Sequence, residues 1–240
     1  MLQVCVNGAR DRAEYGALPV TPEELAAAAE RAVAAGAEDV HLHPKDADGR
    51  DSLEPELVGA AVTAVRAAVP GHVRVGVTTG AWAVPDPRRR ADLVRAWTVL
   101  PDHASVNWHE PGAEAVVRVL RGLGVGIEAG IYSGTGAARA FLASPLSSDV
   151  LRVLAEVTDT DPRTAAGTAA SLVRELGQGL AVPVLLHGED GGAWPVLRAA
   201  ARLGLDTRVG LEDVLVLPDG SAAGDNAALV HAARRILDGR

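Results

Sequence analysis

The sequence predicts an α/β fold: a (β/α)8 or TIM barrel running through residues 1–240 as a single domain. Three observations predict it. Short apolar runs alternate about eight times with Ala-, Leu- and Val-rich amphipathic segments, the rhythm of repeated βα units. The length of 240 residues is close to the ~250 that eight such units usually occupy. The runs are continuously apolar, which suits a parallel sheet buried on both faces. An open doubly wound sheet competes, but its first strand normally feeds a glycine-rich phosphate loop. Here the first strand runs into Asn7-Gly8-Ala9-Arg10 instead.

Each element has its own signal. Residues 2–6 form the first strand. Thr21-Pro22-Glu23-Glu24 starts a helix, with Thr21 as N-cap, Pro22 at N1 and Glu24 at N3 to close a capping box. Gly36 ends that helix. The second strand is 40–43, followed by a helix over 54–68. The third is 73–78, with a helix over 87–99 opened by Pro85-Asp86-Pro87. Strands at 103–107, 125–128, 150–156, 182–186 and 207–211 complete the eight. Their helices run over 113–121, 136–143, 162–176, 194–203 and 225–237.

Composition narrows the function classes. Aromatics make up 3% of the chain, so Ala, Val and Leu must fill the interior. Net charge is −8, and the one basic run, Arg88-Arg89-Arg90, reads as a solvated helix face or subunit contact; no nucleic acid is expected as a partner. Cys5 is the single cysteine, which excludes a disulfide framework, fits a cytoplasmic protein, and reads as a core thiol. No apolar stretch approaches a membrane span, so no membrane partner is expected. Lys45 is the only lysine, so any Schiff-base chemistry would have to use it. Its position in Lys45-Asp46-Ala47-Asp48-Gly49-Arg50 reads as a surface charge.

In a barrel the chemistry gathers at the C-terminal strand ends. The second strand ends in His41-Leu42-His43. Residues two apart share a face of a strand, so the two imidazoles point together, half of a divalent-metal site. Glu212 is the natural third ligand, because strands one and eight meet when a barrel closes and strand two lies just beyond. Two imidazoles and a carboxylate form a common catalytic zinc set with one position open. A rim salt bridge from Glu212 to Arg208 is the bland alternative. Arg208 suits a substrate carboxylate. Asp213 suits a general base, provided that a bend lets neighbours Glu212 and Asp213 face the same way. Thr78 and Thr79 offer hydroxyls and amides to an anion or enolate oxygen. Glu128 is a carboxylate within an apolar strand, costly unless paired. Asn107, His109, Glu110, Glu156, His187 and Glu189 end other strands, and Arg10 and Trp82 stand beside the mouth.

These residues resemble those of the β-keto acid cleavage enzymes. The resembling segments are Asn7-Gly8-Ala9, Thr21-Pro22-Glu23-Glu24, His41-Leu42-His43, Thr78-Thr79-Gly80, Gly126-Ile127-Glu128 and Arg208-Val209-Gly210-Leu211-Glu212-Asp213. They span nearly the whole chain in the expected order. The resemblance implies Zn2+ held by His41, His43 and Glu212. It implies a base, Asp213, that removes a proton from the carbon between carboxylate and ketone of a β-keto acid. The carbanion then attacks acetyl-CoA, and a retro-Claisen step yields acetoacetate and a new acyl-CoA. Arg208 would be the partner of Asp213, Glu128 an auxiliary polar group and Thr78 a hydroxyl anchoring substrate. Thr78, Thr79, Asn107, Glu110 and Arg10 are expected to line the substrate pocket. Homotetramers are the assembly the resemblance implies. Two departures fall on substrate recognition: Arg10 stands where studied members have a glutamate, and His109-Glu110 where they have a small hydroxyl residue.

Three other readings stay open on the sequence. One is a metal-dependent barrel lyase or hydrolase acting on a keto acid without CoA. Another is a non-catalytic barrel that binds an anionic metabolite. The third is a lysine-dependent aldolase using Lys45.

Overall fold

The computed structural model describes residues 1–177 and 180–239. Among them eight strands alternate with eight α-helices: β1 (Leu2–Cys5), α1 (Pro22–Ala34), β2 (Asp39–Leu42), α2 (Pro55–Ala68), β3 (Arg74–Thr78), α3 (Pro87–Arg95), β4 (His103–Asn107), α4 (Ala113–Gly122), β5 (Gly126–Tyr132), α5 (Ala137–Ala143), β6 (Arg152–Val157), α6 (Ala165–Leu176), β7 (Val184–Gly188), α7 (Ala193–Leu203), β8 (Thr207–Val209) and α8 (Asn226–Leu237). The strands pair in parallel in the order β7-β6-β5-β4-β3-β2-β1-β8. The ring closes between β7 and β8 through a single parallel bridge, Leu185 to Asp206. Thr207 Oγ1 adds a hydrogen bond to the Leu186 carbonyl at 2.8 Å. The (β/α)8 barrel is therefore the fold.

Local chemistry accounts for the elements. The capping box forms, with Thr21 Oγ1 accepting from Glu24 N at 3.3 Å and Glu24 Oε2 accepting from Thr21 N at 3.0 Å. Asp86 caps α3 with its own side chain, accepting from Arg88 N and Arg89 N. The core is a shell between strands and helices, filled by Val, Leu and Ala, as scarce aromatics required. No helix among the described residues is long and apolar enough to cross a membrane.

Several boundaries differ from the sequence expectation. β5 runs on to Tyr132 rather than stopping at Glu128. Its extra residues pair with β6, Tyr132 lying opposite Glu156. Helix α3 stops at Arg95, because Trp97 turns inward and donates from Nε1 to the Leu53 carbonyl at 3.0 Å. β8 stops at Val209, because the chain bends at Gly210. The basic run is not wholly solvated either. Arg90 is buried, donating to the carbonyls of Val84 and Pro111. Cys5 is a buried thiol, 3.7 Å from Gln3 Oε1, and burial first, then nearby carboxylates, push it well above its usual pKa.

The barrel interior beneath the mouth is charged. Arg152 donates to Glu128 Oε1 at 2.6 Å and Asp39 Oδ2 at 2.8 Å. His103 meets Asp39 Oδ1 at 3.0 Å and Glu128 Oε2 at 3.2 Å. Gln3 Nε2 donates to both carboxylates. Two cations thus answer two anions, the arrangement that buried charge demands. Gly76 makes room for it, since a Cβ there would overlap the His103 ring.

Candidate functional site

The geometry of the candidate metal site starts at the register of β1 and β2. His41 lies opposite Cys5, and Val6 N donates to the His41 carbonyl at 3.1 Å. The ladder then ends, but the Asn7 side chain continues it. Asn7 Oδ1 accepts from His43 N at 2.9 Å, and Asn7 Nδ2 donates to the His43 carbonyl at 2.8 Å. This holds His43 in line beyond the strand, so both imidazoles face the mouth, their centroids 5.3 Å apart.

Glu212 arrives by a turn. Asp213 N and Val214 N both donate to the Gly210 carbonyl, at 2.9 and 3.0 Å. A Cβ on Gly210 would run into the Cys5 carbonyl oxygen, so only glycine permits this close crossing over β1. The turn is the bend that brings neighbours Glu212 and Asp213 into one site. Glu212 Oε2 then lies 3.9 Å from His41 Nε2 and 3.7 Å from His43 Nε2. The ligand atoms of His41, His43 and Glu212 all fall within 4.8 Å of one another.

Electrostatics suit a cation there. Burial pushes His41 down to about 4, against the pull of Glu212, so its lone pair is free at neutral pH. Burial raises Glu212, but Arg208, His43 and His41 outweigh it and hold the carboxyl at about 2. Glu212 Oε2 is buried without a hydrogen-bond partner, a costly state unless something else satisfies it. The two imidazoles, His41 with its lone pair free, and an ionised carboxylate with an orphaned oxygen fit a divalent ion with an open coordination position.

Arg208 sits beside this triad. It donates from Nη2 to Glu212 Oε1 at 2.8 Å and Asp213 Oδ1 at 2.9 Å, and from Nε to Asp213 Oδ1 and His187 Nδ1, both at 3.1 Å. Since Arg is donor only, His187 Nδ1 accepts and its proton sits on Nε2, which lies 3.4 Å from Glu156 Oε2. Asp213 Oδ2 is buried with no partner. Burial leads, with Glu156 next, in raising the Tyr132 hydroxyl well above its usual range.

Other residues of the mouth are already engaged. Thr78 Oγ1 accepts from Gly80 N at 3.1 Å, and Thr79 Oγ1 donates to the Ser105 carbonyl at 2.6 Å. Glu110 accepts from Asn107 Nδ2 and Ala81 N, both at 2.9 Å, and faces Arg90 at 3.5 Å. Arg10 bonds the Glu212 carbonyl at 3.0 Å, Glu14 at 2.9 Å and Asp190 at 2.6 Å. Glu128 lies in the charged interior, its Oε2 3.8 Å from His41 Nδ1. His109 packs on the Tyr132 ring at 4.5 Å.

Lys45 is not a surface charge. Its Nζ is buried, donating to the carbonyls of Gly8 and Arg10 at 2.7 and 3.1 Å and pairing with Asp51 at 2.6 Å. Asp51 carries no mark of its own in the sequence, following Asp46 and Asp48 in a polar loop. Nor do Asp39, His103 and Arg152, whose partners lie strands away.

A family model described as beta-keto acid cleavage enzyme matches residues 1–240. Among solved structures, the chain is similar to the apo structure of ObcA, at TM-score 0.74 and 20% identity, covering 93% of this chain and 62% of that one. It is also similar to a ternary complex of ObcA with C4-CoA adduct and oxalate, at TM-score 0.71 and 20% identity, covering 93% and 64%. A type I 3-dehydroquinate dehydratase from Clostridium difficile, with covalently modified comenic acid, matches at TM-score 0.66 and 11% identity, covering 99% and 90%. These likenesses show the barrel fold. The chain spans less than two thirds of the length of the two ObcA chains.

Proposed function

The chain belongs to the beta-keto acid cleavage enzyme family, and from that premise we propose that it is a zinc-dependent enzyme that condenses a β-keto acid with acetyl-CoA. The products are acetoacetate and a new acyl-CoA. The observation that carries this reading is the convergence of His41, His43 and Glu212 beside the bare Oδ2 of Asp213. The ternary complex of ObcA with C4-CoA adduct and oxalate supports a CoA thioester as the second substrate.

The geometry supports the following roles. His41, His43 and Glu212 would hold the cation. When bound, it supplies Lewis-acid stabilisation of negative charge on the keto acid's oxygens, and His₂Glu ligation favours zinc. Asp213 Oδ2 removes the proton between carboxylate and ketone. Arg208 holds the other Asp213 oxygen and keeps the base aimed, while His187 accepts from Arg208 Nε and fixes the guanidinium. The substrate carbon attacks the thioester carbonyl and thiolate leaves. Thiolate then adds to the original ketone, the carbon–carbon bond breaks, and Asp213 returns its proton to the acetoacetate carbanion. No cysteine, serine or lysine nucleophile is needed. The backbone amides and carbonyls around Thr78, Thr79 and Asn107 line the substrate side, with Glu110 and Arg10 shaping the loops. Residues 1–240 act as one catalytic barrel, in a cytoplasmic homotetramer.

The test pairs elemental analysis with a product assay. About one zinc per chain, lost in His43→Ala, together with acetoacetate formed only when both a β-keto acid and acetyl-CoA are present, is the expected result. Turnover of the keto acid without acetyl-CoA would replace this reading with the CoA-independent lyase.

A further inference from the structure

We propose that Asp51 is a positioning residue that fixes His43 in the Nδ1–H tautomer, and that Lys45 and Trp82 hold Asp51 in place to do so. The inference rests on the His41–His43–Glu212 reading of the metal site. Asp51 is eight residues beyond His43, yet the loop doubles back. Asp46 N donates to the Arg50 carbonyl at 2.8 Å, and Lys45 and Asp51 form an antiparallel bridge. The Asp51 side chain is 4% exposed and faces three donors. Its Oδ2 lies 2.7 Å from His43 Nδ1 and 2.7 Å from Trp82 Nε1. Its Oδ1 lies 2.6 Å from Lys45 Nζ.

The neighbours decide where the protons are. Indole and ammonium nitrogens only donate. A carboxylate between them is an acceptor, so the proton between Asp51 and His43 belongs to Nδ1. The lone pair of His43 is then on Nε2, the atom that lies 3.7 Å from Glu212 Oε2. A carboxylate behind a ligating imidazole orients the ring and raises its basicity. The Trp82 ring stacks on His43 with centroids 5.9 Å apart and planes 17° apart, which restrains ring rotation. Gly80 leaves the space, since a Cβ there would overlap the indole.

The two imidazoles are unequal in this respect. His41 Nδ1 has no hydrogen-bond partner, and the Glu128 oxygen nearest it stands at 3.8 Å. Only His43 is locked from behind. Lys45 extends the device to the third ligand. The same ammonium that pairs with Asp51 bonds the Gly8 carbonyl at 2.7 Å, and Gly8 packs directly under the Glu212 side chain. One buried cation, the only lysine of the chain, therefore ties the support of His43 to the support of Glu212.

The experiment compares wild type with Asp51→Ala by nitrogen-15 NMR of the histidine side chains in metal-stripped protein, and by Zn2+ titration against a competing chelator. Expected are an Nδ1–H tautomer at His43 in wild type, a tautomer mixture in Asp51→Ala, and zinc affinity about 10–100-fold weaker in the variant. Asp51→Glu recovers part of that affinity. The same His43 tautomer population in both proteins overturns the proposal. Wild type without zinc affinity would end the metal reading, while the tautomer comparison still decides the role of Asp51. Should Asp51→Ala leave Lys45 uncompensated and fail to fold, Lys45→Met/Asp51→Ala removes both charges together and carries the same measurements.

Discussion

Arg208 grips Asp213 by one oxygen. Nε and Nη2 both donate to Oδ1, at 3.1 and 2.9 Å, and Oδ2 is buried with no partner. A carboxylate used only as a structural anchor would have both oxygens satisfied. Asp213→Asn keeps the shape and removes the basic oxygen. The expected outcome is a fall in kcat of about 10³-fold, within the range of a lost general base, with metal content unchanged. A variant that turns over at the wild-type rate would remove Asp213 from the chemistry.

Gly8 lies directly against the Glu212 side chain, and Gly210 lets the chain cross Cys5 to deliver it. Gly8 has φ +61, and a Cβ there would overlap the Glu212 side chain. Alanine is therefore opposed twice, by backbone conformation and by the Glu212 side chain. Gly8→Ala should lower metal content while the far barrel folds as before. Gly16→Ala is the control, because nothing lies within 4 Å of its Cβ and its φ is ordinary. Equal metal content in the two variants would show that Glu212 does not depend on this contact.

The His41–His43–Glu212 cluster was legible in the sequence from one local signal and one topological one. His41 and His43 declare their shared face by a spacing of two, and Glu212 follows from barrel closure, which neighbours β1 with β8. The adjacency of Glu212 and Asp213 requires a bend if both are to share a site, and the chain makes it at Gly210. What sequence could not supply is partnership across strands. Arg152 and Glu128 stand side by side only through the β5–β6 register, and Glu128 meets His103 only through the pairing of β4 with β5. Asp51 reaches His43 only because a loop reverses. The same blindness made Lys45 and Arg90 look solvated, since a single charge in a polar run carries no mark of burial.

The charged interior makes stability depend on alkaline pH. Burial lowers His103, but Glu128 and Asp39 outweigh it and hold the imidazole at about 9. Its unfolded value is ~6.5, so the folded state binds the proton more tightly. That contribution is whole below about pH 6.5 and is lost as pH rises through about 9. The Tm of wild type should fall across this window. His103→Gln, which has nothing to titrate, should start lower at pH 6.5 and show a flatter profile, so the gap closes by about pH 9.5. Parallel profiles for the two proteins would mean that His103 is neutral throughout.

Lys45 is the natural suspect for covalent chemistry, being the only lysine and two residues from His43. Its surroundings argue the reverse. A Schiff base needs a neutral amine free to attack a carbonyl, whereas Lys45 Nζ is committed to two backbone carbonyls and to Asp51 at 2.6 Å. Forming an imine would break all three and leave Asp51 without its cation. Borohydride added during turnover of a keto acid should therefore leave the mass of the protein unchanged. Lys45→Met should act through stability, at a cost of about 3 kcal/mol for breaking a buried pair, read as a lower midpoint in urea. An adduct recovered on the Lys45 peptide would return the aldolase reading and make the three bonds a resting state that substrate displaces.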